Sequence, residues 1–318
     1  MRLRRKPWRR IAAAVLGQRS KTLECPDMPL LTGKIALITG STSGIGKATA
    51  RGLLRRGARL IMLCRNADKA EVVKQEFIAD GLDARNMHFV TCDLADMNAI
   101  DGALGAIDEL VGTQKIDILI ENAAVMARHY ETTQKGVEIS FATNVLGHFA
   151  LRRGLLGGAL NPQARIILLT GELYAMAEQC TPHYRWRGRW GGLAAYNRSK
   201  LGNFWIGREL QRRHPDLNVY IVHPGLVATN LGGYRGGFSR WIKARLMIHP
   251  RDGAQMALIC ATQEDLSHGS YYHNVYGEIE LDNADPALND FAARRLWENC
   301  MELTQNEKQT VTPISYAS

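Results

Sequence analysis

A phenol and an ammonium stand four residues apart in Tyr196-Asn-Arg-Ser-Lys200. Positions four apart share a helix face, so the two polar ends can converge on one ligand. A free phenol is a weak acid–base group at neutral pH, and a neighbouring cation favours its ionised form. The pair therefore suits proton exchange with an oxygen of a bound molecule. The spacing predicts a helix from Tyr196 to Arg213, with both groups near its start.

A second chemical feature lies far upstream. Thr39-Gly40-Ser41-Thr42-Ser43-Gly44-Ile45-Gly46 follows the apolar run Ile35–Thr39 and precedes a helical pattern from Ile45 to Arg56. Gly40 allows a tight turn. Gly44 and Gly46 let backbone and helix approach a pyrophosphate, whose charge the helix N-terminus favours. The next apolar run, Arg59–Cys64, ends in Arg65-Asn66. An acid there, about 20 positions past the glycines, would hold a ribose 2′-hydroxyl. None is present. Arg65 offers a fork of donors to a 2′-phosphate and Asn66 one more, which predicts NADP(H) as the cofactor.

These groups need a scaffold, and the chain repeats one grammar. Further strands are expected at Met87–Thr91, Ile116–Ile120, Arg165–Thr170 and Leu217–His223. Helical patterns lie between them at Ala67–Ala79, Met97–Val111 and Val137 to about Leu160. Apolar strands alternating with helices imply an α/β fold: one doubly wound, Rossmann-type parallel sheet with helices on both faces. The expected organisation is a basic extension over 1–32, one domain over 33–304 and a polar tail over 305–318. Composition agrees with a globular chain: 318 residues, 46% apolar and 22% charged. No apolar run approaches the ~20 residues of a membrane-spanning helix.

The net charge of +9 is local. Residues 1–21 carry eight Lys/Arg and no acid, so the remainder is nearly balanced. That placement argues against nucleic acid as a partner. The basic segment fits a solvated tail, an organelle-targeting presequence or a segment lying on an anionic membrane surface. Six scattered cysteines have no zinc spacing, and no metal site is expected. Cys64 and Cys92 are expected as buried thiols.

Together the Gly40–Ala50 stretch, Asn144-Val-Leu-Gly-His-Phe149, Ala195–Asn203, His223–Thr229, Asp252–Gln255 and Ala293–Trp297 resemble the short-chain dehydrogenase/reductase family, nearest its retinol dehydrogenase-like branch. The resemblance runs from about Gly33 to Leu303. It implies that Tyr196 exchanges the proton, that Lys200 holds the nicotinamide ribose and that Asn144 supports a proton-relay water. It also implies cofactor contacts at Asp93, Leu94, Asn122, Pro224, Gly225, Val227 and Thr229. Two positions depart from the family pattern. Gly171 stands where a catalytic serine is usual, followed by Glu172, and Glu121 replaces an asparagine before Asn122. Thr170, one residue from the serine position, should face the opposite way along its strand.

The substrate side reads less definitely. The basic-aromatic run Thr181–Trp190 is placed to border a cleft, or is a surface loop with packed tryptophan stems. Leu231–Pro250 carries Phe238, Trp241, Ile242, Leu246 and Met247, as an apolar substrate lid or as core. The resulting expectation is an oxidoreductase that interconverts a lipophilic alcohol and its aldehyde or ketone. The alternative is a cofactor-binding sensor or scaffold with eroded catalysis. Homo-oligomers are compatible with either.

Overall fold

Every residue of β1 (Ile35–Thr39) is buried, and successive side chains leave opposite faces of a strand. Ile35 and Leu37 enter one apolar core, Ala36 and Ile38 a second one. Such a strand must lie inside a sheet covered on both faces. The computed structural model describes residues 7–188, 190–228 and 246–305, with the backbone alone for 7–11 and 14. Among them, one eight-stranded sheet has the order β3-β2-β1-β4-β5-β6-β7-β8. The further strands are β2 (Arg59–Cys64), β3 (Met87–Thr91), β4 (Ile116–Glu121), β5 (Leu160–Leu169), β6 (Asn218–His223), β7 (Tyr271–His273) and β8 (Gly277–Ile279). All neighbours pair in parallel except β7 with β8.

Helices α2 (Gly44–Arg55) and α3 (Ala67–Ala79), with the later helix Gln255–Thr262, cover one face. On the other lie α4 (Met97–Val111), α5 (Ile139–Phe141), α6 (His148–Leu156), α7 (Gly191–Arg213) and the closing helix Asp290–Gln305. The order reverses between β1 and β4, and loops leaving the carboxyl ends of those strands open a crevice there.

Several boundaries differ from expectation for local reasons. Helix α7 begins at Gly191, so Tyr196 sits in its second turn. Gly191 and Gly192 let that start pack against Trp186 and the Ala127 carbonyl, where a Cβ would stand 2.2 and 1.9 Å away. Strand β5 begins at Leu160, five residues before the expected Arg165, with a register shift opposite Ile116–Ile118. Between α5 and α6, Ala142–Gly147 forms a π-turn that contains Asn144. The N-terminal segment forms helix α1 (Pro7–Lys21), after which the chain runs along the domain. Leu23 N–H donates to the Asn274 carbonyl at 2.8 Å and Leu31 N–H to that of Arg56 at 2.7 Å.

Glu121 ends β4 on the face of α6, where its carboxylate pairs with Arg152, both fully buried. The carboxyl is pushed up by burial, which the guanidinium opposes. A buried ion left alone is far costlier than a pair. Arg152→Met is therefore expected to lose ~3–5 kcal/mol of stability in urea melts, and Glu121→Leu with Arg152→Met to regain most of it. Equal losses in the single and double variants would exclude the pair as the cause.

Candidate active site

The glycine turn leaves β1 in a shape few residues can take. Gly40 has φ +68 and Gly44 φ +54. A Cβ on Gly40 would stand 2.8 Å from the Ala123 Cα, and one on Gly46 would stand 2.3 Å from the Gly40 carbonyl oxygen. The turn is thus pressed between α2 and the loop after β4. Asn122 fixes the contact: its Nδ2 donates to the carbonyls of Thr39 at 2.8 Å and Gly40 at 3.2 Å. The Asn122 and Ala123 backbone N–H groups both donate to the Thr39 hydroxyl, at 3.0 and 2.9 Å.

That hydroxyl lies 2.8 Å from His148 Nε2, and His148 Nδ1 lies 3.1 Å from the Asn144 carbonyl. Burial holds His148 far below its usual pKa, at about 3, so the ring is neutral. With its lone pairs engaged, the Thr39 hydroxyl donates to Nε2 and leaves Nδ1–H to the Asn144 carbonyl. A polarised chain therefore joins the glycine turn to the π-turn.

A cleft of about 320 Å³ opens above these loops. Of the residues singled out in the sequence, Thr39, Gly40, Ser43, Gly44, Ile45, Arg65, Asp93, Leu94, Asn122, Tyr196, Lys200 and Pro224 line it. Ser41, Gly46, Asn66, Asn144, Gly225 and Val227 lie outside its lining, and Thr229 falls outside the described residues. Ser41 is buried with its hydroxyl unbonded among the described residues. Asn66 caps α3, accepting from Lys69 N–H at 2.8 Å, which gives its carbonyl oxygen a structural task. Asn144 is buried and turned onto the chain after β4. Its Oδ1 accepts from Val125 N–H at 2.8 Å and its Nδ2 donates to Ser199 Oγ at 2.9 Å.

The cleft suits a dinucleotide on its own terms. Ser43 precedes α2 without a side-chain cap, so first-turn N–H groups remain for an anion. Arg65, exposed at the mouth, makes no hydrogen bond or ion pair among the described residues. Cys64, Cys92, Val125, Thr143 and Leu169 also line the cleft, although no motif marked them, as does Ala124, which with Glu121 departs from the family pattern around Asn122. Their common signal is position, just at or beyond a strand's carboxyl end or on the π-turn.

At the other end, α7 brings Tyr196 and Lys200 together. Lys200 is 2% exposed and donates from Nζ to the Leu169 carbonyl at 2.9 Å. Its ammonium lies over the Tyr196 ring, 5.4 Å from the ring centre. The lowering of the phenol expected from that cation is outweighed by burial. Burial raises the Tyr196 phenol and lowers the Lys200 ammonium to about 8. A Cβ on Gly171 would meet Tyr196 Oη at 4.0 Å and Lys200 Cγ at 3.8 Å, which is ordinary contact. The Gly171 backbone is extended, so a serine fits. Thr170 cannot replace it, because its hydroxyl donates to the Lys200 carbonyl at 2.8 Å.

Glu172 does not line the cleft. Its carboxylate accepts from Tyr271 Oη at 3.1 Å and lies 3.2 Å from His273 Nε2, without the alignment of a hydrogen bond. With His223 these groups form a buried cluster of metal-ligand type that the sequence did not suggest. Each imidazole accepts a backbone N–H at Nδ1, His223 from Glu172 and His273 from Val275, both at 3.1 Å. A neutral ring with Nδ1 accepting carries its proton on Nε2, where a cation would need a lone pair. The cluster therefore reads as a hydrogen-bonding network beneath the loops after β5 and β6.

Comparison with known proteins places the chain. The short chain dehydrogenase family model matches residues 34–185. Retinol dehydrogenase 14 of Mus musculus is 34% identical over 293 residues, with 86% of each chain covered. Retinol dehydrogenase 12 of Bos taurus is 35% identical, covering 86% of this chain and 87% of its own. The chain is a short-chain dehydrogenase. Among solved structures, a protein from Mycobacterium Paratuberculosis matches with a TM-score of 0.71 and 29% identity, over 89% of this chain and 98% of that one. L-Sorbose reductase from Gluconobacter frateurii, solved with NADPH and L-sorbose, shares the fold at a TM-score of 0.62 and 21% identity, over 79% of this chain and 98% of its own. As a short-chain dehydrogenase of the retinol dehydrogenase-like branch, it is an oxidoreductase of alcohols and carbonyls that uses a nicotinamide cofactor.

The buried Lys200 makes a pH-dependent prediction for the cofactor-free protein. Its folded value of about 8 lies below the ordinary 10.5. Between those values the unfolded chain binds more protons, so stability rises with pH. The burial cost is fully present below pH 8 and relieved above pH 10.5. Wild type should gain up to ~3 kcal/mol relative to Lys200→Met across that interval. Urea melts at pH 7.5, 9 and 10.5 measure it, and a constant gap between the two proteins would refute it.

Proposed function

We propose that this short-chain dehydrogenase is NADP(H)-dependent and interconverts a lipophilic alcohol with its aldehyde or ketone. The observation that carries the cofactor choice is Arg65, unpaired among the described residues at the end of β2 in a position without an acid. A guanidinium there matches a 2′-phosphate in charge and fork geometry. The lipophilic substrate is supported by the names of the relatives, retinol dehydrogenases at 34–35% identity.

The cofactor, when bound, supplies the hydride chemistry. The chain's own residues supply the rest. Tyr196 Oη gives a proton to the substrate oxygen in reduction and takes it back in oxidation. Lys200, anchored by the Leu169 carbonyl, places a positive charge beneath that phenol. Asn144 fixes the chain after β4 along the cleft wall. At Gly171 one donor to the substrate oxygen is missing, and such a donor is typically worth ~10²–10³ in rate. Tyr196 and Lys200 remain, so the reading is of a slow enzyme. Gly171 also favours a second reading, a cofactor-binding protein with eroded catalysis.

Two experiments separate these readings. Tyr196→Phe is expected to lower NADPH-dependent reduction of aldehydes and ketones by at least ~10²-fold, and unchanged turnover would sink the mechanism. Gly171→Ser, which the space accepts, should raise kcat by ~10- to 100-fold. An inactive wild type rescued by this change would mark an eroded site. No change in an active enzyme would place the missing donor on the substrate.

Arg65→Ser tests the cofactor separately. Loss of a charged hydrogen-bonding group should reduce kcat/KM for NADPH by ~10- to 100-fold and leave NADH within about threefold. An equal fall for both cofactors would overturn the NADP(H) assignment.

A further inference from the structure

Gln18 is a polar side chain with 2% of its surface exposed, on a helix that the sequence presents as a basic appendage. Burying an amide costs free energy unless its hydrogen bonds are made. Gln18 makes three. Its Nε2 donates to the Leu246 carbonyl at 2.6 Å and to the Leu226 carbonyl at 3.3 Å. Its Oε1 accepts from Leu226 N–H at 2.8 Å. Leu226 is thereby held at both its N–H and its C=O by one side chain 208 residues away.

The place of that grip matters. Leu226 follows Pro224, which lines the cleft, and Gly225, which has φ +90. A Cβ on Gly225 would meet Asn274 Nδ2 at 2.5 Å and Gln18 Oε1 at 2.9 Å. The turn after β6 is therefore gripped between α1 on one side and the end of β7 on the other. Leu226 also accepts from Ile248 N–H at 3.0 Å, and Val227 forms a parallel bridge with Ile248. Gln18 thus ties together the chain at Leu226, two residues past the cleft-lining Pro224, and the chain at Leu246.

We propose that α1 belongs to the catalytic apparatus, with Gln18 as a positioning residue that sets the Pro224–Gly225 turn against the Tyr196 and Lys200 end of the cleft. This rests on the oxidoreductase reading of the cleft. The Arg65 end lies on the far side of the sheet's switch point, so the two ends separate experimentally. Loss of Gln18 should disturb turnover more than cofactor affinity.

The test compares the full chain with Gln18→Met, similar in length but without an amide, and Ser20→Ala, an exposed change on the same helix. Three readouts are used: hydrogen exchange at the Leu226 amide, NADPH affinity from cofactor fluorescence, and kcat with a carbonyl panel. For Gln18→Met the expected result is exchange at Leu226 at least tenfold faster and kcat about tenfold lower, with NADPH affinity within threefold and cooperative melting retained. Ser20→Ala should match wild type. Unchanged exchange at Leu226, or the same losses in Ser20→Ala, would overturn the role of Gln18. A wild type that turns over no carbonyl refutes the proposed function, and the exchange measurement then decides the role of Gln18 alone.

Discussion

Everything in the cleft depends on how closely the turn after β1 can approach the loop after β4. The sheet reverses order between these strands, so no strand fills the space above their ends. What closes it is a small polar clasp. One amide, Asn122 Nδ2, satisfies two carbonyls of the glycine turn, and one hydroxyl, Thr39 Oγ1, receives two N–H groups in return. The clasp works only because Gly46 has no side chain: a Cβ there would stand 2.4 Å from Asn122 Nδ2. Through His148 the same hydroxyl reaches the π-turn, so the cofactor loop and the wall holding Asn144 are set by one interaction.

The second organising theme is desolvation. Lys200, Glu121, Arg152, His148 and Glu172 are all buried, and each is given a specific neighbour. Their arrangement separates two kinds of charge. Glu121 and Glu172 interrupt the family pattern next to the cleft, yet both carboxylates find partners away from its lining. Lys200 keeps its place beneath the phenol. The departures in sequence therefore alter the scaffold under the site more than the surface that a substrate meets, with Gly171 as the exception.

Much of this was legible in the chain. Strand and helix limits for Arg59–Cys64, Ala67–Ala79, Met87–Thr91 and Met97–Val111 coincide with expectation, because apolar periodicity and flanking glycines are local signals. The glycine turn and the Tyr196–Lys200 pair, which line one cleft, were legible as local patterns for the same reason. Gln18 was not, since nothing local distinguishes a buried glutamine from a solvated one and its partners lie more than 200 residues away. Asn66 carries a second task that its place after β2 did not announce: its side-chain oxygen caps α3 by accepting from Lys69 N–H, while its Nδ2 is a separate donor. The Glu172, His223 and His273 cluster was hidden because strand pairing, not sequence spacing, assembles it.

Two thiols, Cys64 and Cys92, line the cleft. Burial raises both, Cys92 to about 12 with help from Asp93 and Asp96. A thiol held protonated is a poor nucleophile. Both sulfurs sit at the ends of β2 and β3, beside Arg65 and across the sheet's switch point from Tyr196 and Lys200. The wall of the cleft away from the phenol is thus made of chemically quiet thiols, and reactivity is confined to the other end.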